Sequence, residues 1–127
     1  MNRYISAALA EMDKVVISKL EYPGSCALDP ASCCFLASFI RATGARKILE
    51  FGSGFSSLVI AREIDAFEGN YLLSIDNSRY YNKHARESLE NSGAQARVEF
   101  RMARLWPKFY GLRLLLSYSL PKGLLEA

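Results

Sequence analysis

Glu50, Gly52, Gly54 and Asp76 have the types and spacing to hold a small polar ligand at one turn. Glycines at i and i+2 between a strand and a helix let the backbone bend sharply and let a ligand approach the bare Cα atoms. Asp76 stands 22 residues after Gly54, at the end of the next strand-like segment. A carboxylate there accepts hydrogen bonds from both vicinal hydroxyls of a ribose, and such charge-assisted bonds are roughly twice as strong as neutral ones. Its charge disfavours a phosphate at the same place. The alternative is ordinary capping, with Asp-Asn-Ser opening the following helix. Glu50 closes an otherwise apolar strand, where a carboxylate is costly unless something polar meets it. A ligand amine or a backbone amide is the expected partner. Where a dinucleotide fingerprint would carry its third glycine, this chain has Ser57.

The elements that must position these residues follow from periodicity. Tyr4, Ile5, Ala8, Leu9, Met12, Val15, Val16 and Leu20 recur at helical spacing over residues 2–20, until Tyr-Pro-Gly-Ser breaks the pattern. Asp29 before Pro30 predicts an N-cap, and the helix it opens runs to about Gly44. These helices form an N-terminal segment, residues 1–44. From Lys47 the period changes: Ile48 to Phe51 predicts a strand, Ser56 to Asp65 a helix, and Gly69-Asn70 a turn. Tyr71 to Ile75 reads as a buried parallel strand, Ser78 to Ser92 as a polar helix closed by Gly93, and Arg97 to Met102 as a third strand. Alternating strands and helices predict an α/β fold, a partial Rossmann-like parallel sheet of three or four strands with helices on both faces. Beyond Met102, Trp106-Pro107 and Tyr110-Gly111 read as loop, and Leu112 to Leu120 as either a strand or a short helix.

With 50% hydrophobic and 23% charged residues, the chain has the make-up of one globular domain. No apolar run approaches the roughly 18–20 residues that span a bilayer, and acids follow the N-terminal apolar stretch too soon for a signal peptide. A cytoplasmic protein with no membrane partner is expected. Cys26, Cys33 and Cys34 fit neither a disulfide framework nor a Cys-x-x-Cys metal site, and are expected as small buried hydrophobes. His84, and Tyr80 and Tyr81 near it, are assigned to a solvated helix face, so no metal ligand and no general base is named. All the excess of the +3 formal charge lies in residues 97–127, which carry six basic residues against two acidic ones. Trp106, Phe109 and Tyr110 interleave with these cations, but a solvated tail is the expected reading rather than nucleic-acid binding.

Ile-Leu-Glu-Phe-Gly-Ser-Gly-Phe-Ser-Ser, followed by Leu-Leu-Ser-Ile-Asp-Asn-Ser, resembles the first two motifs of class I S-adenosylmethionine-dependent methyltransferases over residues 44 to about 101. The resemblance implies that residues 45–127 are the cofactor-binding half of such a domain. By the same resemblance Glu50, Gly52, Ser53 and Gly54 meet the methionine part of S-adenosylmethionine, Asp76 the ribose hydroxyls, and Asn77 lies beside the adenine. Nicotinamide-dependent Rossmann proteins, which usually lack an acid at the position of Glu50 and keep the third glycine, rank second. Two departures stand out. Arg101-Met102-Ala103-Arg104 brings no acid after the third strand, and most of the half that selects the methyl acceptor is missing.

The implied function is methyl transfer to an unidentified acceptor, catalysed by proximity and orientation. The alternative is a truncated, non-catalytic module that holds a nucleoside cofactor or packs on a partner. In the family's strand order, the strand Ile48 to Phe51 lies between the second strand and the fourth. Either Leu112 to Leu116 pairs beside it, or the open edge invites self-association.

Overall fold

The computed structural model describes residues 2–11 and 27–124. The elements run α1 (Arg3–Glu11), α2 (Pro30–Thr43), β1 (Lys47–Phe51), α3 (Phe55–Ile64), β2 (Tyr71–Asp76), α4 (Arg79–Ser92), β3 (Val98–Met102), β4 (Leu105–Tyr110) and β5 (Arg113–Tyr118). Residues 12–20, where the first helix was expected to continue, and Cys26 lie outside the described residues.

Local chemistry sets the helix ends. Asp29 Oδ1 accepts from the Ser32 amide at 3.0 Å, Pro30 opens α2, and Gly44 closes it at φ 66° with its N–H on Ile40 O. Ser78 caps α4 and Gly93 ends it. Between α3 and β2, Asn70 donates to Ile64 O and Phe67 O at 3.0 Å and accepts from the Arg97 amide at 2.9 Å. One turn residue thereby aligns the starts of β2 and β3.

β1, β2 and β3 form a parallel sheet in the order β1-β2-β3, with Glu50 opposite Ser74 and Ser74 opposite Phe100. Ile48, Leu72 and Val98 meet Ile40, Ile60 and Ile64 of α2 and α3 on one face. α4 packs on that same face, where Asn82 donates to Arg101 O at 3.2 Å and the Arg86 guanidinium lies over the Phe100 ring. Among the described residues the helices that touch the sheet therefore share one face, where helices on both were expected. The other face, Leu49, Leu73 and Ile75, is met by Tyr118, Leu120 and Leu124. Ser38 Oγ donates to Ala8 O at 2.8 Å and ties α1 to α2, and the Arg41 guanidinium grips both oxygens of Glu63, at 2.6 and 2.8 Å, to tie α2 to α3.

The C-terminal region differs from its sequence reading in two ways. Leu105 to Tyr110, expected as loop about Trp106-Pro107, is a strand, because Pro107 occupies a position whose amide need not pair. Arg113 to Tyr118 is its antiparallel partner. Leu112 to Leu116 therefore does not lie beside Ile48 to Phe51: β5 pairs with β4 in a local hairpin instead. β1 has no strand on its other edge among the described residues.

Candidate functional site

The ladder between β1 and β2 continues one residue past β1: the Gly52 N–H donates to Ile75 O at 2.7 Å, and the chain then turns away at φ 94°. An L side chain rarely adopts that φ, so Gly52 is required by backbone conformation. Gly54 is different. Its φ of 178° is extended backbone that any residue adopts. A Cβ at either position meets nothing within 4 Å, so the space over both bare Cα atoms is open.

Beneath the turn lies a polar cluster drawn from three elements. Glu50 Oε2 accepts from Ser57 Oγ at 2.5 Å and from Ser74 Oγ at 2.7 Å, while Oε1 accepts from Ser56 Oγ. Ser53 and Ser74 hydroxyls share a hydrogen bond of 2.8 Å, and Ser57 Oγ also accepts from the Gly54 amide at 3.1 Å. Burial pushes the Glu50 carboxyl above its ordinary range. The three serine hydroxyls oppose that rise, and the nearby Asp76 charge adds to it. Within the chain the partners of Glu50 are thus hydroxyls, and of the two expected partners, a ligand amine or a backbone amide, the amide is not among them.

Asp76 is 6% exposed, and its two oxygens divide their work. Oδ2 accepts from the Ser53 amide at 2.7 Å and Oδ1 from the Ser78 amide at 2.6 Å. It is not the N-cap of α4, a role Ser78 holds. Asp76 instead clamps the turn after β1 to the turn after β2. Each carboxylate oxygen has a second lone pair, so both keep capacity for a further donor. Asn77 is exposed next to it.

The structure thus brings Glu50, Gly52, Ser53, Gly54 and Asp76 together, with Asn77 at the rim. Tyr80, Tyr81 and His84 sit on the exposed side of α4, where Tyr80 meets the His84 ring edge-on at 4.6 Å. Cys33 is a buried thiol, pushed up to about 11 chiefly by desolvation. Among the described residues no three His, Cys, Asp or Glu side chains gather as a metal site requires, and no helix is long and apolar enough to cross a membrane. Sequence reasoning missed Ser56, Ser57 and Ser74. The available signal was Ser74, a hydroxyl in an otherwise apolar strand, two residues from Asp76 and so on the same face.

No family model and no curated protein matches the chain. Solved structures do. A Klebsiella pneumoniae protein assigned as an O-methyltransferase superposes with a TM-score of 0.55 at 27% identity. An O-methyltransferase from Bacillus cereus in complex with SAH gives 0.56 at 24%, and the cofactor-bound Rv0187 from MTB gives 0.55 at 26%. Each match covers 80% of this chain and 44% of the other, so the chain spans less than half the length of these structures. With its order β1-α3-β2-α4-β3 and these superpositions, the chain has the fold of the class I S-adenosylmethionine-dependent methyltransferases.

Proposed function

We propose that the turn from Glu50 to Gly54 binds S-adenosylmethionine and that the chain serves O-methyl transfer. The observation that carries this is the pair of carboxylates, Glu50 and Asp76, flanking an open glycine turn. Glu50 has a lone pair left for the ligand's ammonium, and this pairing offsets part of the cost of its burial. Asp76 receives the two ribose hydroxyls on the lone pairs its backbone amides leave free, with Asn77 beside the base. Ser53 supports Glu50 through Ser74, and the bare Cα atoms of Gly52 and Gly54 admit the ligand against the backbone. When bound, the cofactor supplies an electrophilic methyl group; the residues of the turn supply orientation.

A second reading, a module that holds cofactor without turnover, draws on the same site. Both carboxylates at the turn are engaged by the chain's own donors.

Calorimetry tests the binding step. S-adenosylhomocysteine is expected to bind and NAD to bind at least about tenfold more weakly, a difference of about 1.4 kcal/mol. Tighter binding of NAD would reject the assignment. Release of S-adenosylhomocysteine from S-adenosylmethionine in the presence of a panel of small-molecule, protein and nucleic-acid acceptors separates the enzyme from the holding module.

A further inference from the structure

We propose that the β4–β5 hairpin pairs face to face with the same hairpin of a second copy of this chain. Its register places Leu105 opposite Tyr118, Pro107 opposite Leu116 and Phe109 opposite Leu114. Opposed residues share a face, so these six form one wholly apolar side. The other side is mixed, carrying Lys108, Arg113 and Ser117 with Trp106, Tyr110 and Leu115. At one end the apolar side is already core, since Tyr118 stacks on Phe51 at 5.3 Å and packs on Leu73 and Ile75. Beyond that end it stands open: Phe109 is 76% exposed, Leu116 68% and Leu114 59%. The molecule therefore carries half of a sheet sandwich.

The occupant follows from charge and area. With Tyr118 already core, the other five residues at roughly 100 Å² per large apolar side chain offer about 500 Å² per copy. Two copies bury about 1,000 Å², the lower bound of a specific interface. Pairing two such sides buries no cation, whereas Lys108 and Arg113 remain in water on the outer sides. A bilayer fits less well, because a hairpin laid on it by the apolar side turns those cations away from the headgroups. Edge pairing through β4 is also disfavoured. The Ser119 amide donates to Arg104 O at 2.9 Å, and the alternation of an antiparallel pair then points the Pro107 nitrogen outward, where it has no proton to give. A two-fold axis through the apolar side makes each copy contact the other identically.

Sedimentation velocity over a concentration series tests this. The native chain is expected to dimerise with a dissociation constant of about 1–10 μM. The double variant F109E/L116E is expected to weaken the dimer at least about 30-fold while keeping cooperative unfolding by circular dichroism. K108E, a charge change on the opposite side of the same strand, is expected to leave it unchanged within about threefold. A native chain that stays monomeric overturns the proposal, as does a dimer that survives F109E/L116E or is lost equally in K108E. Binding of the monomer to vesicles of anionic lipid, with no dimer, assigns the surface to a membrane and also overturns it.

Discussion

The turn around Gly52 and the β4–β5 hairpin are both built on a glycine and short strands, yet they are held in opposite ways. At the turn, the half-buried Glu50 and the buried Asp76 collect three serine hydroxyls from α3 and β2 and two backbone amides, those of Ser53 after β1 and of Ser78 capping α4. No buried side-chain nitrogen or oxygen among the described residues is left without a partner. In the hairpin the register comes from backbone pairing and a two-residue loop, and its large side chains stand mostly in solvent. The turn is over-determined by the chain itself. The hairpin leaves much of its apolar side uncovered among the described residues.

The largest effect should separate the two at their apolar residues. Leu72 is fully buried between the helices and the sheet, so Leu72→Ala should cost about 3 kcal/mol of unfolding free energy. Leu114→Ala in the hairpin, measured on the monomer, should cost less than about 1 kcal/mol. Urea denaturation compares them, and equal costs would break the contrast.

Next come the two glycines. Gly52→Val forces a β-branched residue to φ 94° and should cost about 2 kcal/mol. Gly54→Ala meets no strain and no neighbour, so it should leave stability within about 0.5 kcal/mol. Its Cβ nonetheless projects into the space proposed for the ligand, so calorimetry should show S-adenosylhomocysteine binding weakened at least about tenfold. Unchanged binding in Gly54→Ala would mean that the ligand does not approach this backbone.

Much of the turn was legible because its constraints are local or periodic. Asp29-Pro30, Gly44, Gly93 and the apolar runs of β1 and β2 each announce an element by residue type, and Gly52, Gly54 and Asp76 mark the turn by spacing. Ser56, Ser57 and Ser74 were not found, because what matters about them is the register that sets Glu50 opposite Ser74, a tertiary fact. The hairpin was half legible. Leu112 to Leu120 could be a strand or a helix by periodicity, and Pro107 argued for loop, since a proline is compatible with a strand only where its nitrogen faces outward. The helices' shared face and, among the described residues, the edge position of β1 likewise depend on which strands lie side by side, which composition does not encode.

Glu50 sharpens the contrast through pH. Burial raises its carboxyl above the ordinary 4.5, so the unfolded chain ionises before the folded one does. Between those two pKa values the contribution of this group to stability falls as pH rises, and above the folded value the penalty is complete. Glu50→Gln should therefore remove that slope. Taken as native minus variant, unfolding free energies from about pH 4 to pH 7 should decline. The difference isolates Glu50 from Asp29 and Glu99, whose lowered values make the native fold weaken as pH falls. The same variant should lose about tenfold in S-adenosylhomocysteine affinity if the ligand's amine meets this carboxylate. Loss of the slope with affinity intact would make Glu50 an organiser of the turn alone.

The smallest effect belongs to the hairpin tip. Gly111 takes φ 62° while Leu112 stays negative, the II′ pattern in which the first loop position needs glycine and the second tolerates a polar residue. Leu112 is 104% exposed, so its side chain gains nothing from the monomer fold. Leu112→Asn keeps the turn chemistry and removes only solvent-facing apolar surface. The monomer's unfolding free energy should change by less than about 0.5 kcal/mol. The tip also lies beyond the six residues of the apolar side, so the dimer should weaken no more than about threefold, against the 30-fold expected for F109E/L116E. A tip substitution that weakened association as much as the double variant would move the interface from the face of the hairpin to its end. The cations Lys108 and Arg113, which flank that end, would then have to be part of it.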